Sequence, residues 1–254
     1  MRADGSYDVV LTGGTVYDGS GGPGVRADVG IADGVVRAVS TDPLEISAST
    51  EVVDATGRWV MPGFVDVHTH YDGQATWDAE RAPSSWHGVT TVVMGNCGVG
   101  FAPAKPDKHE WLIGLMEGVE DIPGTALAEG MTWDWETFPE YLDALEKLPR
   151  TVDIGTHVPH GSVRAYVLGD RERPGAVPTD DDIAEMSQIV EEGVRAGALG
   201  FSTSRTVIHR DINGEVVPGT TATAEELIEI GRAMGRAGHG VFEMASDMMR
   251  EWDE

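Results

Sequence analysis

Disulfide chemistry is closed to this chain: among 254 residues it has one cysteine, Cys97. A lone thiol forms no internal bridge and fits a reducing, cytoplasmic compartment. Long apolar runs are also missing. None approaches the ~20 residues that span a bilayer, and Met1–Ser6 has no apolar core of a secretory signal. Positive charge is scarce, with 18 Lys and Arg against 43 Asp and Glu, a net charge of −25. That balance argues against nucleic acid or an anionic membrane as partner. Lysine is the scarcest cation, present only as Lys105, Lys108 and Lys147.

What is present is the composition of a soluble globular protein, 41% apolar and 24% charged. Residues 1–60 read as a small β-rich subdomain. Tyr7–Leu11 is a strand, Gly13-Gly14 a turn, and Thr15–Tyr17 a continuation. Ala27–Ala32 and Val35–Val39 flank the hairpin turn Asp33-Gly34. Glu51–Asp54 and Arg58–Met61 are expected to pair around Thr56-Gly57. The loop Asp18–Gly24 is glycine-rich but lacks the Lys-Ser/Thr ending of a phosphate cradle.

Over residues 61–254 strands and helices alternate, the pattern of a parallel sheet or barrel. Five strands are expected, at 64–67, 90–94, 152–156, 198–203 and 241–245. One helix opens at Thr179 with Asp182 three residues on, and its apolar stripe is Ile183, Met186, Ile189, Val190 and Val194. A second opens at Thr223 with Glu226 in the same role. The stretch from Gly95 to Trp133 is long and rich in Trp and Met, either a lid over a barrel mouth or plain packing.

The first strand of that series ends in His68-Thr-His70. Residues two apart on a strand share a face, so both imidazoles can reach one point, and imidazole is the commonest protein ligand for zinc-like metals. The competing reading is a pair of polar residues at a strand end. In a βα barrel, chemistry gathers at the C-terminal ends of strands. The other strands end in Asn96-Cys97-Gly98, in His157 followed by His160 and Arg164, in Ser202–Arg205, and near Glu243, Ser246 and Asp247. Cys97 is either a small buried apolar residue or a third ligand, ionised by the cation it binds. Arg205 is either a bidentate clamp for a substrate carboxylate or a member of a surface ion pair. His157 is a candidate to bind substrate or support the metal shell, or else a structural histidine, and Ser204 is a further substrate-binding candidate. His209 and the remaining histidines are taken as surface or packing residues.

The segments Pro62–His70, Gly88–Gly98, Met116–Pro123, Trp133–Trp135 and Gly197–Thr203 resemble the amidohydrolase superfamily, and within it the N-acyl-D-amino-acid deacylases (D-aminoacylases). The resemblance implies an α/β fold: a (β/α)8 TIM-like barrel of the metal-dependent hydrolase type, with a small N-terminal β-sandwich. It implies Zn2+ held by His68, His70 and Cys97, and hydrolysis of the linear amide of an N-acyl-D-amino acid. The family's strand-five histidine is absent, and Glu243 or Asp247 stands as a substitute oxygen ligand. The strand-eight aspartate that would act as catalytic base lies beyond Glu254, so the barrel is expected to be partial, a fragment of five β/α units that is inactive by itself. Two alternatives stay open. One is a cyclic-amide hydrolase, disfavoured because no lysine ends a strand. The other is a degenerate barrel that binds ligand without catalysis.

Overall fold

A computed structural model of the chain describes residues 6–247. The stretch before Ser6, and the Met248–Arg250 end of the strand-five segment, lie outside the described residues. The fold divides into two compact units at Gly63/Phe64.

In the first unit, β1 (Val9–Val16), β2 (Val25–Ala32), β3 (Val35–Ser40), β4 (Glu51–Asp54) and β5 (Trp59–Val60) form one sheet, ordered β3-β2-β1-β4 with β5 also on β1. Two expectations change here. Gly13-Gly14 is not a turn: β1 runs through it, with a register shift between Leu11 and Gly14. β4 and β5 do not form a hairpin either. Both lie parallel to β1, Val9–Thr12 pairing with β4 and Thr15–Val16 with β5. The irregularity in β1 divides that edge into two segments, and the Ala55–Arg58 turn carries the chain from one to the other. Among the described residues the unit is a single sheet.

The second unit holds β6 (Phe64–Asp66), β7 (Val89–Met94), β8 (Asp153–Pro159), β9 (Gly200–Arg205) and β10 (Val241–Ser246), all parallel. Their order is the order of the sequence, β10-β9-β8-β7-β6. A doubly wound sheet reverses direction at a switch point. One-way winding curls the sheet instead, as in a barrel. The edge strands expose apolar side chains, with Phe64 57% and Val241 60% accessible.

Helices α1 (His109–Glu120), α2 (Gly124–Gly130), α3 (Phe138–Glu146), α4 (His160–Leu168), α5 (Asp180–Ala196) and α6 (Ala224–Ala237) fill the crossovers. α5 starts as expected: Thr179 accepts from the Asp182 N–H, and the Asp182 carboxylate accepts from the Thr179 N–H. Ile183, Met186, Val190 and Val194 are buried in the core. α6 departs from the pattern. Thr223 accepts from the Glu226 N–H at 3.3 Å, but the Glu226 carboxylate turns inward. It accepts from Arg164 at 2.6 Å and meets His160 Nε2 at 2.8 Å, all three side chains being buried. His160 Nδ1 lies 2.8 Å from Thr203 Oγ1. A buried carboxylate needs charged partners more than a helix end needs a second cap.

The long 95–133 stretch is largely packing. Met116 and Trp135 are core residues, and Trp135 Nε1 donates to the Phe101 carbonyl at 2.8 Å. One face of α1 carries Gly114 and Gly118. There the 211–212 backbone approaches so closely that a β-carbon at Gly118 would collide with it, and the Ile212 N–H donates to the Gly114 carbonyl at 3.3 Å.

Removing one member of a buried charge network strands the others. Glu226→Ala is expected to lower unfolding stability by roughly 3–5 kcal/mol. Its neighbour Glu225→Ala, on the exposed side of the helix, should change it by less than about 0.5 kcal/mol. Urea unfolding of both variants checks the contrast.

Candidate metal centre

His68 and His70 follow β6 on either side of Thr69. Thr69 faces β7, its N–H and its hydroxyl both donating to the Val93 carbonyl, at 2.9 and 2.8 Å. The two flanking imidazoles therefore share the other direction, with ring centroids 5.4 Å apart. The His68 N–H reaches Asp66 Oδ1 at 3.4 Å, so the Asp66 carboxylate serves the local backbone.

At the end of β7 the chain turns through Gly95–Gly98. Gly95 has φ +71°, and a β-carbon there would strike the His157 carbonyl. Cys97 takes the left-handed conformation, φ +56°, which is uncommon outside glycine. Side chains from three directions hold the turn. Asn96 Nδ2 donates to the Thr69 and Val93 carbonyls, each at 3.0 Å. Ser202 Oγ accepts from the Gly98 N–H at 3.0 Å and donates to the Gly95 carbonyl. Glu243 Oε2 accepts from the Cys97 N–H at 3.0 Å. So held, Cys97 Sγ lies 3.2 Å from His68 Nε2. One donor atom from each of His68, His70 and Cys97 falls within 4.8 Å of the others, the one such trio among the described residues.

Electrostatics at this point disfavour protons on nitrogen and favour one on sulfur. Burial, then the nearby His68 and His209, lower His70 to about 4. Burial, with Glu243, Glu120 and Asp72 adding negative field, pushes the Cys97 thiol up to about 12. His70 Nε2 pairs with Glu120 Oε1 at 3.3 Å, while its Nδ1 is buried without a hydrogen-bond partner. Two imidazoles and a thiol form a donor set suited to a borderline-soft divalent cation, and the orphaned Nδ1 of His70 is held by no competing hydrogen bond.

The other expected residues spread around this trio. Glu243 stays outside it, its Oε2 on the Cys97 backbone. β8 runs two residues past His157, which is 5% exposed within the strand, with Nδ1 buried and unpartnered; burial first, then His68, lowers its pKa. Ser204 Oγ lies 3.1 Å from His209 Nδ1. Arg205 donates to the Ala222 carbonyl at 2.6 Å, so that arm of its guanidinium is spent on the fold. His160 and Arg164 belong to the buried network and not to the mouth. Asp247 binds Thr206 Oγ1 and the Val207 N–H. No lysine ends a strand: Lys105 stacks over Tyr166, Lys108 pairs with Asp170 and Lys147 follows α3.

Three residues escaped the sequence reading. His209, taken for surface or packing, is part-buried with its Nδ1 3.1 Å from Ser204 Oγ, and burial lowers its pKa. Glu120, at the end of α1, meets His70, and burial then Asp121 raise it to about 7. Asp72, fully buried, is raised to about 8, burial being the main cause. Asp72 continues the period-two series of His68 and His70, a signal that was available in the sequence. Glu120 and His209 sit on segments whose approach to the mouth no local pattern encodes.

A model of the amidohydrolase family matches residues 51–251. The chain belongs to the amidohydrolase family. It is 37% identical to the D-aminoacylase of Alcaligenes xylosoxydans xylosoxydans over 232 residues, 91% of this chain and 43% of that one. Against the N-acyl-D-glutamate deacylase of the same organism the identity is 32%, over 91% of this chain and 42% of the other. A crystal structure of D-aminoacylase superposes with a TM-score of 0.73 at 33% identity, covering 96% of this chain and 46% of that one. The N-acyl-D-glutamate deacylase of Bordetella bronchiseptica, solved with zinc and a phosphonate mimic of the tetrahedral intermediate, superposes with a TM-score of 0.71 at 29% identity, covering 94% and 45%. This amidohydrolase chain thus spans less than half the length of these relatives. Its fold is theirs over that span: a curled half-barrel of five parallel strands and a separate N-terminal sheet. No helix of the described residues is long and apolar enough to cross a membrane.

A thiol pushed up to about 12 is almost wholly protonated at pH 8. In the metal-free chain Cys97 is expected to react with a disulfide reagent at least about 100-fold more slowly than in the same chain unfolded in urea. Equal rates would show the thiol to be open and ionisable in the folded state.

Proposed function

We propose that this amidohydrolase chain supplies the metal-binding half of a zinc-dependent deacylase acting on N-acyl-D-amino acids. The observation that carries the proposal is the convergence of His68, His70 and Cys97, three residues from two strand ends, within 4.8 Å. Those three residues would hold the cation. When bound, zinc polarises an amide carbonyl and brings the pKa of water towards neutrality.

The chain's own residues prepare the place. Glu120 Oε1 lies 3.3 Å from His70 Nε2, and His70 Nδ1 is buried with no hydrogen-bond partner. Cys97 gives up its proton when a cation replaces it, since the cation inverts the local field that otherwise protects the S–H. Glu243, Ser202 and Asn96 hold the turn, so the sulfur need not search for its position. His157, Ser204 and His209 stand as the polar groups for substrate, His209 oriented through Ser204. Arg205 would clamp a carboxylate only through the part of its guanidinium not already given to Ala222.

Support for the substrate class comes from the relatives. D-aminoacylase, N-acyl-D-aspartate deacylase and N-acyl-D-glutamate deacylase are 31–37% identical to the chain over 91% of its length. One D-aminoacylase is described by a binuclear centre that one metal activates and a second attenuates. Three donors from this chain suffice for one metal with an open position.

Metal analysis of the purified chain is expected to find one zinc per chain. Cys97→Ala and His68→Ala should each reduce zinc affinity by at least about 100-fold. Binding of N-acetyl-D-amino acids to the zinc-loaded chain, with the L-isomers as control, tests the substrate class: preference for the D-isomers is expected, and equal binding of both would remove it. Zinc retained by Cys97→Ala at wild-type affinity would remove the proposed ligand set.

A further inference from the structure

We infer that Glu243 acts on the metal site as a clamp on the Cys97 backbone and not as a ligand. The inference rests on the metal reading above and concerns what holds the sulfur in place.

Cys97 and Gly98 are consecutive residues with left-handed backbone, φ +56° and +72°. In such a turn two successive N–H groups point outward together and need acceptors. Glu243 Oε2 takes the first at 3.0 Å, and Ser202 Oγ takes the second, also at 3.0 Å. Those two acceptors are register partners: Glu243 on β10 lies directly opposite Ser202 on β9. Side chains at opposed positions of neighbouring parallel strands share one face of the sheet, so the pair closes on the turn together. Ser202 also donates to the Gly95 carbonyl, which fixes the near side of the turn.

For Glu243 to become a ligand through Oε2, its carboxylate would have to leave the Cys97 N–H. A part-buried donor would then lose its partner, at a residue already in a disfavoured conformation. The same carboxylate, left where it is, keeps Sγ 3.2 Å from His68 Nε2. Strand five thereby governs the metal site through a backbone hydrogen bond.

A ligand and a clamp respond differently to Gln. Its amide oxygen still accepts an N–H but is a poor replacement for a carboxylate on a metal. The experiment titrates cobalt(II) into the full chain and follows the near-ultraviolet thiolate-to-cobalt charge-transfer band, with circular dichroism as the check on folding. Wild type is expected to bind one cobalt with that band. Glu243→Gln should keep the band and bind within about threefold of wild type. Glu243→Ala should bind roughly 10–100-fold more weakly, with a smaller or shifted band. A Gln variant as weak as Ala would make Glu243 a ligand and overturn the inference, and so would an Ala variant indistinguishable from wild type. If Glu243→Ala does not fold, Glu243→Gln decides alone: retained affinity supports the clamp, and a tenfold loss removes it. A wild-type chain that binds cobalt without a thiolate band fails at the metal reading itself, an outcome separate from failure of the clamp.

Discussion

Cys97 sits at φ +56°, and three strand ends are needed to keep it there. Asn96 ties the turn to the Thr69 and Val93 carbonyls, Ser202 spans it from β9, and Glu243 reaches it from β10. A β-branched or bulky residue would strain the backbone at this position. A small thiol fits, and from there its sulfur meets His68. The trio of donors thus depends on strands one, two, four and five of the curled sheet. It also depends on the sheet's curl, since a flat sheet would carry β10 away from the end of β7.

Beneath that mouth lies a second polar assembly with different work. His160, Arg164 and Glu226 are wholly buried, and Thr203 closes the set from β9. Glu172 accepts from Arg164 Nε at 3.1 Å at the outer end. Burying charges costs solvation, and a hydrophobic replacement of equal volume is often as stable. What the network adds is direction. It fixes β9 between Ser202, on the Cys97 turn, and Ser204, on His209, by binding the residue between them. Glu226 gives up its place in the α6 cap for this.

The wall of the mouth follows from a small-residue face on α1. Gly114 and Gly118 admit the 211–212 backbone, which brings the strand-four loop and its His209 against the helix whose last residue, Glu120, reaches His70. Side chains at those glycines would separate loop and helix. Of the aromatic residues that suggested a lid, Trp133 and Trp135 instead pack on Phe101 and Tyr141.

Much of this was legible in the residues. The five strands of the second unit, the capping box of α5 and the His-x-His pair follow from periodicity and end signals, which are local. The continuity of β1 through Gly13-Gly14 was not legible, because two glycines serve a bulge as readily as a turn. Nor was the parallel pairing of β4 and β5 with β1. Each strand's pattern describes its own faces and not its neighbour. Glu226 satisfied the capping pattern, and a buried arginine overrode it.

The sequence alone determined which chemical groups stand at which strand ends, since alternation and chain order are properties of neighbouring residues. Only the tertiary structure decided what each group does there. Glu243 is 146 residues from Cys97 along the chain, yet its carboxylate accepts the Cys97 N–H. Arg205, offered to substrate by its position, is turned to the Ala222 carbonyl. A hydrogen bond selects among partners by distance in space, and that distance is set by the winding and curl of the whole sheet.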